Sequence, residues 1–190
     1  MRLILKDSFE GKIEREFMEL LKINNRSDLN NLYQNIDESC FIAVEGLIFD
    51  NAGYWILHRR GPGCRDEQYK LEGIGGSIAK GEDFHHALKR EIIEEVGTLA
   101  KVDIIGVMEV RKDTVFDRRL NRTVTWIIVS FLCKYSNGEL LRMEPDKNLG
   151  YEKFHITKIP QDELSSSSRS AYLTLKRNWE DIKDILKVTG

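Results

Sequence analysis

The stretch GGSIAKGEDFHHALKREIIEEVGT, residues 75–98, holds Glu82, Glu91, Glu94 and Glu95 within a few helical turns of one another. At about 100° of rotation per residue, Leu88, Ile92 and Val96 share one side of a helix, and Glu91, Glu94 and Glu95 fill the adjoining sector. Glu95 projects between the directions of Phe84 and Leu88, so packing the apolar stripe on a sheet draws at least one carboxylate toward the domain. A partly buried carboxylate costs on the order of several kcal/mol unless a cation compensates it. Taken alone, the helix reads more readily as a solvated face in which Arg90 pairs with Glu94 at i, i+4. The preceding LEGIGGSIAKGE favours a site: Gly73, Gly75 and Gly76 let the backbone turn and approach a ligand, and Glu82 sits where the helix dipole tolerates an acid. Oxygen donors from a loop and one helix face suit a hard cation, Mg2+ or Mn2+. The glycines do not make a nucleotide-binding loop, because G-K-[ST] is absent and GIGGSI lacks G-x-G-x-x-G spacing.

The elements around this helix follow from periodicity. CFIAVEGLIFD and YWILHRR read as two strands of a hairpin turning at Asp50–Gly53. A helix is expected over Glu82–Val96, then strands KVDIIGVMEV and TVTWIIVSFLCKY, with RKDTVFDRRLNR between them as a charged loop or hairpin tip. RSAYLTLKRNWEDIKDIL carries Tyr172, Leu175, Trp179, Ile182 and Leu186 on one stripe and predicts a packed terminal helix capped by Ser167 or Ser168. FEGKIEREFMELLKI has Ile13, Phe17, Leu20 and Leu21 at helical spacing, so residues 1–36 form a helical extension and 37–190 the main domain. The order β-β-α-β-β-α points to a mixed α/β or α+β fold with the central helix against a sheet.

A chain of 190 residues, 41% hydrophobic, supports one domain with a real core. The net charge of −2 gives no global attraction to a nucleic acid polymer or an anionic membrane, so phosphate binding must be local. Cys40, Cys64 and Cys133 show no CxxC spacing and read as reduced thiols. No run of eighteen apolar residues and no targeting segment is found, which leads to the expectation of a cytoplasmic protein.

The spacing Gly76, five residues, Glu82, seven residues, then Arg90-Glu91-Ile92-Ile93-Glu94-Glu95-Val96-Gly97 resembles the Nudix box of the Nudix hydrolase family, G-x5-E-x7-R-E-U-x-E-E-x-G-U with U a bulky aliphatic residue. Thr98 stands where the family has the last aliphatic residue. AVEGLIFDNAGYWILHRR and YEKFHITKIP look like the flanking strands of such a domain, so roughly residues 40–160 carry the resemblance. It implies an α/β/α sandwich with a mixed central sheet and a C-terminal helix. It also implies divalent-metal-dependent hydrolysis of a nucleoside diphosphate linked to another moiety, a small nucleotide rather than a polymer. A homodimer is compatible with it.

By the same resemblance, Glu94 and Glu95 are the chief metal ligands and Glu91 is a ligand or the base that activates water. Glu82 adds a contact, Arg90 orients Glu91, and the Gly76 carbonyl completes the coordination. For a further carboxylate outside the box, Glu152 is the first candidate, followed by Glu109 and Glu144. Arg59, Arg60 and Arg111 are expected to grip phosphate; the run Arg111, Lys112, Arg118, Arg119 and Arg122 serves that end or forms a solvated loop. His85 and His86 are read as surface residues, and Trp126 and Phe131 as core aromatics or a stacking surface for a base.

No proline or tyrosine stands fifteen to seventeen residues past the box, where enzymes of ADP-ribose or diadenosine polyphosphates carry one. MEPDKNLGYEKFHITKIP is similar to the corresponding region of members acting on nucleoside triphosphates, which favours a nucleoside triphosphate or modified dNTP. ADP-ribose, nucleotide sugars and coenzyme A remain alternatives, as does a non-catalytic nucleotide sensor of the same fold.

Overall fold

The computed structural model describes Arg15 and residues 40–79, 81–117 and 120–188. Of the helix expected within residues 1–36, Arg15 is described and is helical; the rest of it, and the basic residues Arg118 and Arg119, lie outside the described residues.

Among the described residues from Cys40 on, seven strands and three helices follow in the order β1 (Cys40–Phe49), β2 (Tyr54–Arg60), β3 (Leu71–Glu72), β4 (Ile74–Ser77), α1 (Phe84–Val96), β5 (Lys101–Asp117), β6 (Arg122–Asn137), β7 (Asn148–His155), α2 (Ser166–Arg177) and α3 (Trp179–Leu186). The strands form one mixed sheet in the order β3-β2-β1-β6-β5, with β4 on β1 and β7 on β2. β1 runs parallel to β6 from Cys40↔Thr125 to Phe49↔Lys134, while the other pairings are antiparallel.

The period of two along β1 sorts its side chains onto opposite faces. Ile42, Val44 and Ile48 join Leu88, Ile92 and Val96 of α1 in one core, and Leu47 and Phe49 join Tyr172, Leu175, Trp179, Ile182 and Leu186 of α2 and α3 in the other. The result is the α/β/α sandwich, with the predicted apolar stripes of the central and terminal helices buried.

Four local expectations change. The central helix starts at Phe84 because the Asp83 side chain accepts from the His85 and His86 amides. The terminal helix is two, broken at Asn178, and its first part is capped by Ser165 rather than Ser167 or Ser168. Of the two readings of RKDTVFDRRLNR the hairpin holds and the loop does not: RKDTVFD is the end of β5, paired with β6 out to Asp117↔Arg122, and cross-strand hydrogen bonding holds charged residues extended there. Gly75 and Gly76 lie in β4, a strand against β1, rather than in a bend.

Candidate active site

One cavity of about 640 Å3 opens between the α1 carboxylates and the β1/β6 surface. β4 brings the two together. Gly75 lies opposite Glu45 and Gly76 opposite Val44 of β1, and on the other side Gly76 faces α1. A Cβ built on Gly76 would stand 2.6 Å from both Glu91 carboxylate oxygens, so only glycine leaves that carboxylate its place.

Within α1 the sector of glutamates divides by burial. The side chains of Glu91 and Glu95 are 12% and 15% exposed, against 52% for Glu94. Arg90 organises the outer part. Its Nη1 donates to Glu91 Oε1 at 2.7 Å and to Glu94 Oε2 at 2.9 Å, its Nε to Glu82 Oε1 at 2.9 Å, and its Nη2 to the Ser77 carbonyl at 2.9 Å. Glu82 therefore ties the loop before the helix to Arg90, and that hydrogen bonding holds its carboxyl below the usual range.

The inner part lacks comparable compensation. Burial, and then the charge of Glu91, push the Glu95 carboxyl up to about 8, and burial raises Glu91 against the pull of Arg90. The Gly75 amide is 3.4 Å from Glu95 Oε2, a long hydrogen bond. His58 Nδ1 is 3.8 Å from Glu95, but burial and then Arg60 lower His58 to about 4, so the neutral imidazole forms no ion pair there. Glu144 faces the same cavity, and its charge raises both Glu91 and Glu95 further.

Glu144 reaches this position because the segment after β6 folds across the end of α1. The Leu141 amide donates to the Val96 carbonyl at 2.9 Å, and the Tyr151 hydroxyl lies 2.7 Å from the Glu95 carbonyl oxygen. Among the described residues, no three acidic, histidine or cysteine side chains stand together at metal-binding distance; Glu91 and Glu94 are instead bonded to Arg90. The donor set nonetheless fits a hard divalent cation. It offers carboxylate oxygens with unmet charge, clustered in a cavity, and glycine backbone on the facing strand.

Several predicted site residues fall elsewhere. Glu152 lies within β7, opposite Leu57, and accepts from Arg59 Nε at 2.6 Å. Arg59 also pairs with Glu163 at 2.8 Å, and neither residue lines the cavity. Arg60 does line it, yet its guanidinium is engaged by Glu72 and by Asp66. Arg111 is buried beneath the cavity, where its Nη2 donates to Glu45 Oε2 at 2.8 Å and its Nη1 to Glu109 Oε1 at 3.0 Å. Arg111 and Glu109 are thus partners in an internal network rather than phosphate or metal contacts. His86 is exposed beside Asp83 and His85 is half-buried. Phe131 is core, while Trp126 lines the cavity.

Sequence reasoning missed Glu45, His58, Glu72 and Asp113 as cavity residues. A lone acid inside CFIAVEGLIFD was the legible signal for Glu45; the others depend on strand register.

An α/β/α sandwich whose glutamate-bearing helix opens on a cavity presents oxygen donors suited to a hard cation. The family model for the NUDIX domain matches residues 41–175, and the chain belongs to the Nudix family as a Nudix hydrolase. Membership implies pyrophosphatase action on a nucleoside diphosphate linked to another moiety, and Nudix hydrolases generally use divalent metal ions. No curated protein matches the chain. Among solved structures, the MutT protein from Methanosarcina mazei Go1 is 19% identical with a TM-score of 0.63, covering 76% of this chain and 98% of its own. The MutT NUDIX hydrolase from Burkholderia pseudomallei is 22% identical at TM-score 0.58, covering 73% and 99%. The ORF135 protein of E. coli is 15% identical at TM-score 0.57, covering 74% and 91%. These likenesses share the fold. Among the described residues no helix is long and apolar enough to cross a membrane.

Proposed function

We propose that the protein hydrolyses the phosphoanhydride of a nucleoside triphosphate or modified dNTP with Mg2+ or Mn2+. The observation that carries this reading is the pair of buried carboxylates in one cavity, Glu91 packed against Gly76 and Glu95 beside the Gly75 amide. Glu91, Glu94 and Glu95 would hold the cation, with Glu144 as the carboxylate from outside the helix in place of Glu152. Such an ion would supply Lewis acidity and positive charge between these carboxylates and an anionic substrate.

The chain's own residues do the rest. Gly76 leaves room for Glu91 to reach inward. Arg90 sets the rotamers of Glu82, Glu91 and Glu94 through three ion pairs, and Glu82 closes the loop onto the helix. Lys147, on the cavity wall beside Glu144, supplies positive charge near the substrate's phosphates. The preference for a triphosphate rests on the segment Met143–Pro160, which carries Glu144 and Lys147.

The test is a panel of nucleoside triphosphates, ADP-ribose and nucleotide sugars incubated with Mg2+, with products identified by chromatography. Release of pyrophosphate or phosphate, abolished by Glu94→Gln and by Glu95→Gln, is the expected result. Tight nucleotide binding without products would refute hydrolysis in favour of a sensing role.

A further inference from the structure

The cavity extends well past the carboxylates. Its far arm lies on the α2 side of the sheet and has a different chemistry. Trp126 on β6 and Asp113 on β5 are direct cross-strand partners, so they project from the same face with Cβ atoms about 5 Å apart. Both line the cavity, and both are half-buried rather than sealed in the core. Below them the floor is Ala43 and Ile128, paired across β1 and β6. The small Ala43 side chain leaves space beside the indole.

Trp126 is held in place from its neighbours. Phe41, its register partner on β1, stacks on it with ring centroids 5.0 Å apart and planes 29° from parallel. The Arg65 guanidinium lies 5.7 Å from the indole centroid and pairs with Asp117 at 3.1 Å. Asp113 is held in a similar way. Its Oδ2 accepts from Arg111 Nε at 3.3 Å, while Oδ1 accepts no hydrogen bond among the described residues. An oriented aromatic face beside a fixed carboxylate acceptor, in the cavity that holds the α1 glutamates, matches what a planar heterocycle with N–H groups on its edge needs.

We infer that this arm is a nucleobase subsite in which the base stacks on Trp126 and its edge is read by Asp113. The inference rests on the nucleotide reading of the α1 site and names the base that site takes. A carboxylate accepts and does not donate. Guanine presents adjacent N1–H and N2–H donors to it and makes two parallel hydrogen bonds. Uracil sets one N–H between two carbonyl oxygens, which the carboxylate repels. Adenine and cytosine each offer one amino donor beside an acceptor nitrogen. Guanine nucleotides are therefore preferred.

Equilibrium binding of GMP and UMP to the full chain, measured by calorimetry in the presence of a chelator, tests this without turnover. GMP is expected to bind about tenfold more tightly than UMP. Asp113→Asn, which places an amide donor at that edge, should erase the difference, while Trp126→Ala should weaken both about tenfold and Trp126→Phe should restore most of the loss. Equal binding of GMP and UMP by the unaltered protein, or a preference untouched by Asp113→Asn, overturns the subsite. The isosteric Asp113→Asn and Trp126→Phe chains, with their melting temperatures checked, keep the test decisive if Trp126→Ala does not fold. Base-selective binding without hydrolysis of any triphosphate would sink the proposed function and leave the subsite standing. Hydrolysis of all four triphosphates with equal GMP and UMP affinity would do the reverse.

Discussion

Adjacent glycines in β4 should fail in opposite ways when changed to alanine. Both have backbone angles open to alanine, since neither has positive φ, so the outcome depends on what the new methyl group meets. At Gly75 the Cβ would stand 2.1 Å from the Val44 carbonyl oxygen and 2.9 Å from the Glu45 Cα, which are backbone atoms of β1. Those cannot rotate away, so the strands must part, at a cost of about 3 kcal/mol. For a chain of this size the melting temperature should fall by roughly 6–12 °C. At Gly76 the three nearest atoms the Cβ meets all belong to the Glu91 carboxylate, at 2.6 Å. That side chain retreats to an ordinary contact by shifting on the order of 1 Å, at little cost in stability, but a misplacement of that size lowers kcat/KM about 100-fold. Thermal denaturation and steady-state hydrolysis with Mg2+, run on both variants, separate the two effects. A Gly76→Ala enzyme with activity within twofold of the parent, or one that melts as low as Gly75→Ala, refutes the role given to the Glu91–Gly76 contact.

Removing Arg111 strands Glu45 and Glu109 in the interior, so Arg111→Met should cost about 3–5 kcal/mol, read as a lowered urea midpoint; unchanged stability with a raised KM would instead mark Arg111 as a phosphate contact. Glu144→Gln should cut turnover by about two orders of magnitude while Glu152→Gln leaves it within about twofold, and the opposite ranking would return the outside carboxylate to β7. Mg2+ should raise the melting temperature of the parent more than that of Glu95→Gln, measured by calorimetry against a chelated control, because the cation offsets the buried charge of Glu95. In a Cys40→Ser chain, a thiol reagent should label Cys64 in the native state and Cys133 only after unfolding, since Cys133 is fully buried and its thiol is pushed up by that burial.

The part of the site legible in the sequence is the part that lies on one helix. Fixed rotation per residue places Glu91, Glu94 and Glu95 relative to Leu88, Ile92 and Val96 with no knowledge of the rest of the fold. The glycines were legible as places of close approach, but what approaches Gly75 is the Val44 carbonyl, and strand pairing rather than a bend follows from that. RKDTVFD carries charge at a strand end, where polarity does not distinguish a ladder from a loop. Glu152 and Glu144 are alike in composition and proximity to the last strand; only the crossing of residues 138–147 over the end of α1 brings one of them to the cavity. Arg111 sits in a basic run that reads as solvated, and its burial follows from facing Ser130 and Glu45 across the sheet.

The parallel pairing of β1 with β6 joins residues 85 positions apart. On a ribosome adding 5–20 residues per second, β1 therefore emerges roughly 4–17 s before the strand that completes its far edge. Through that interval the glycine strand and the glutamate helix can dock on β1 from one side only. The nascent half-sheet has an open apolar edge, so a chaperone holding the chain until Asn137 has left the exit tunnel would protect it from aggregation.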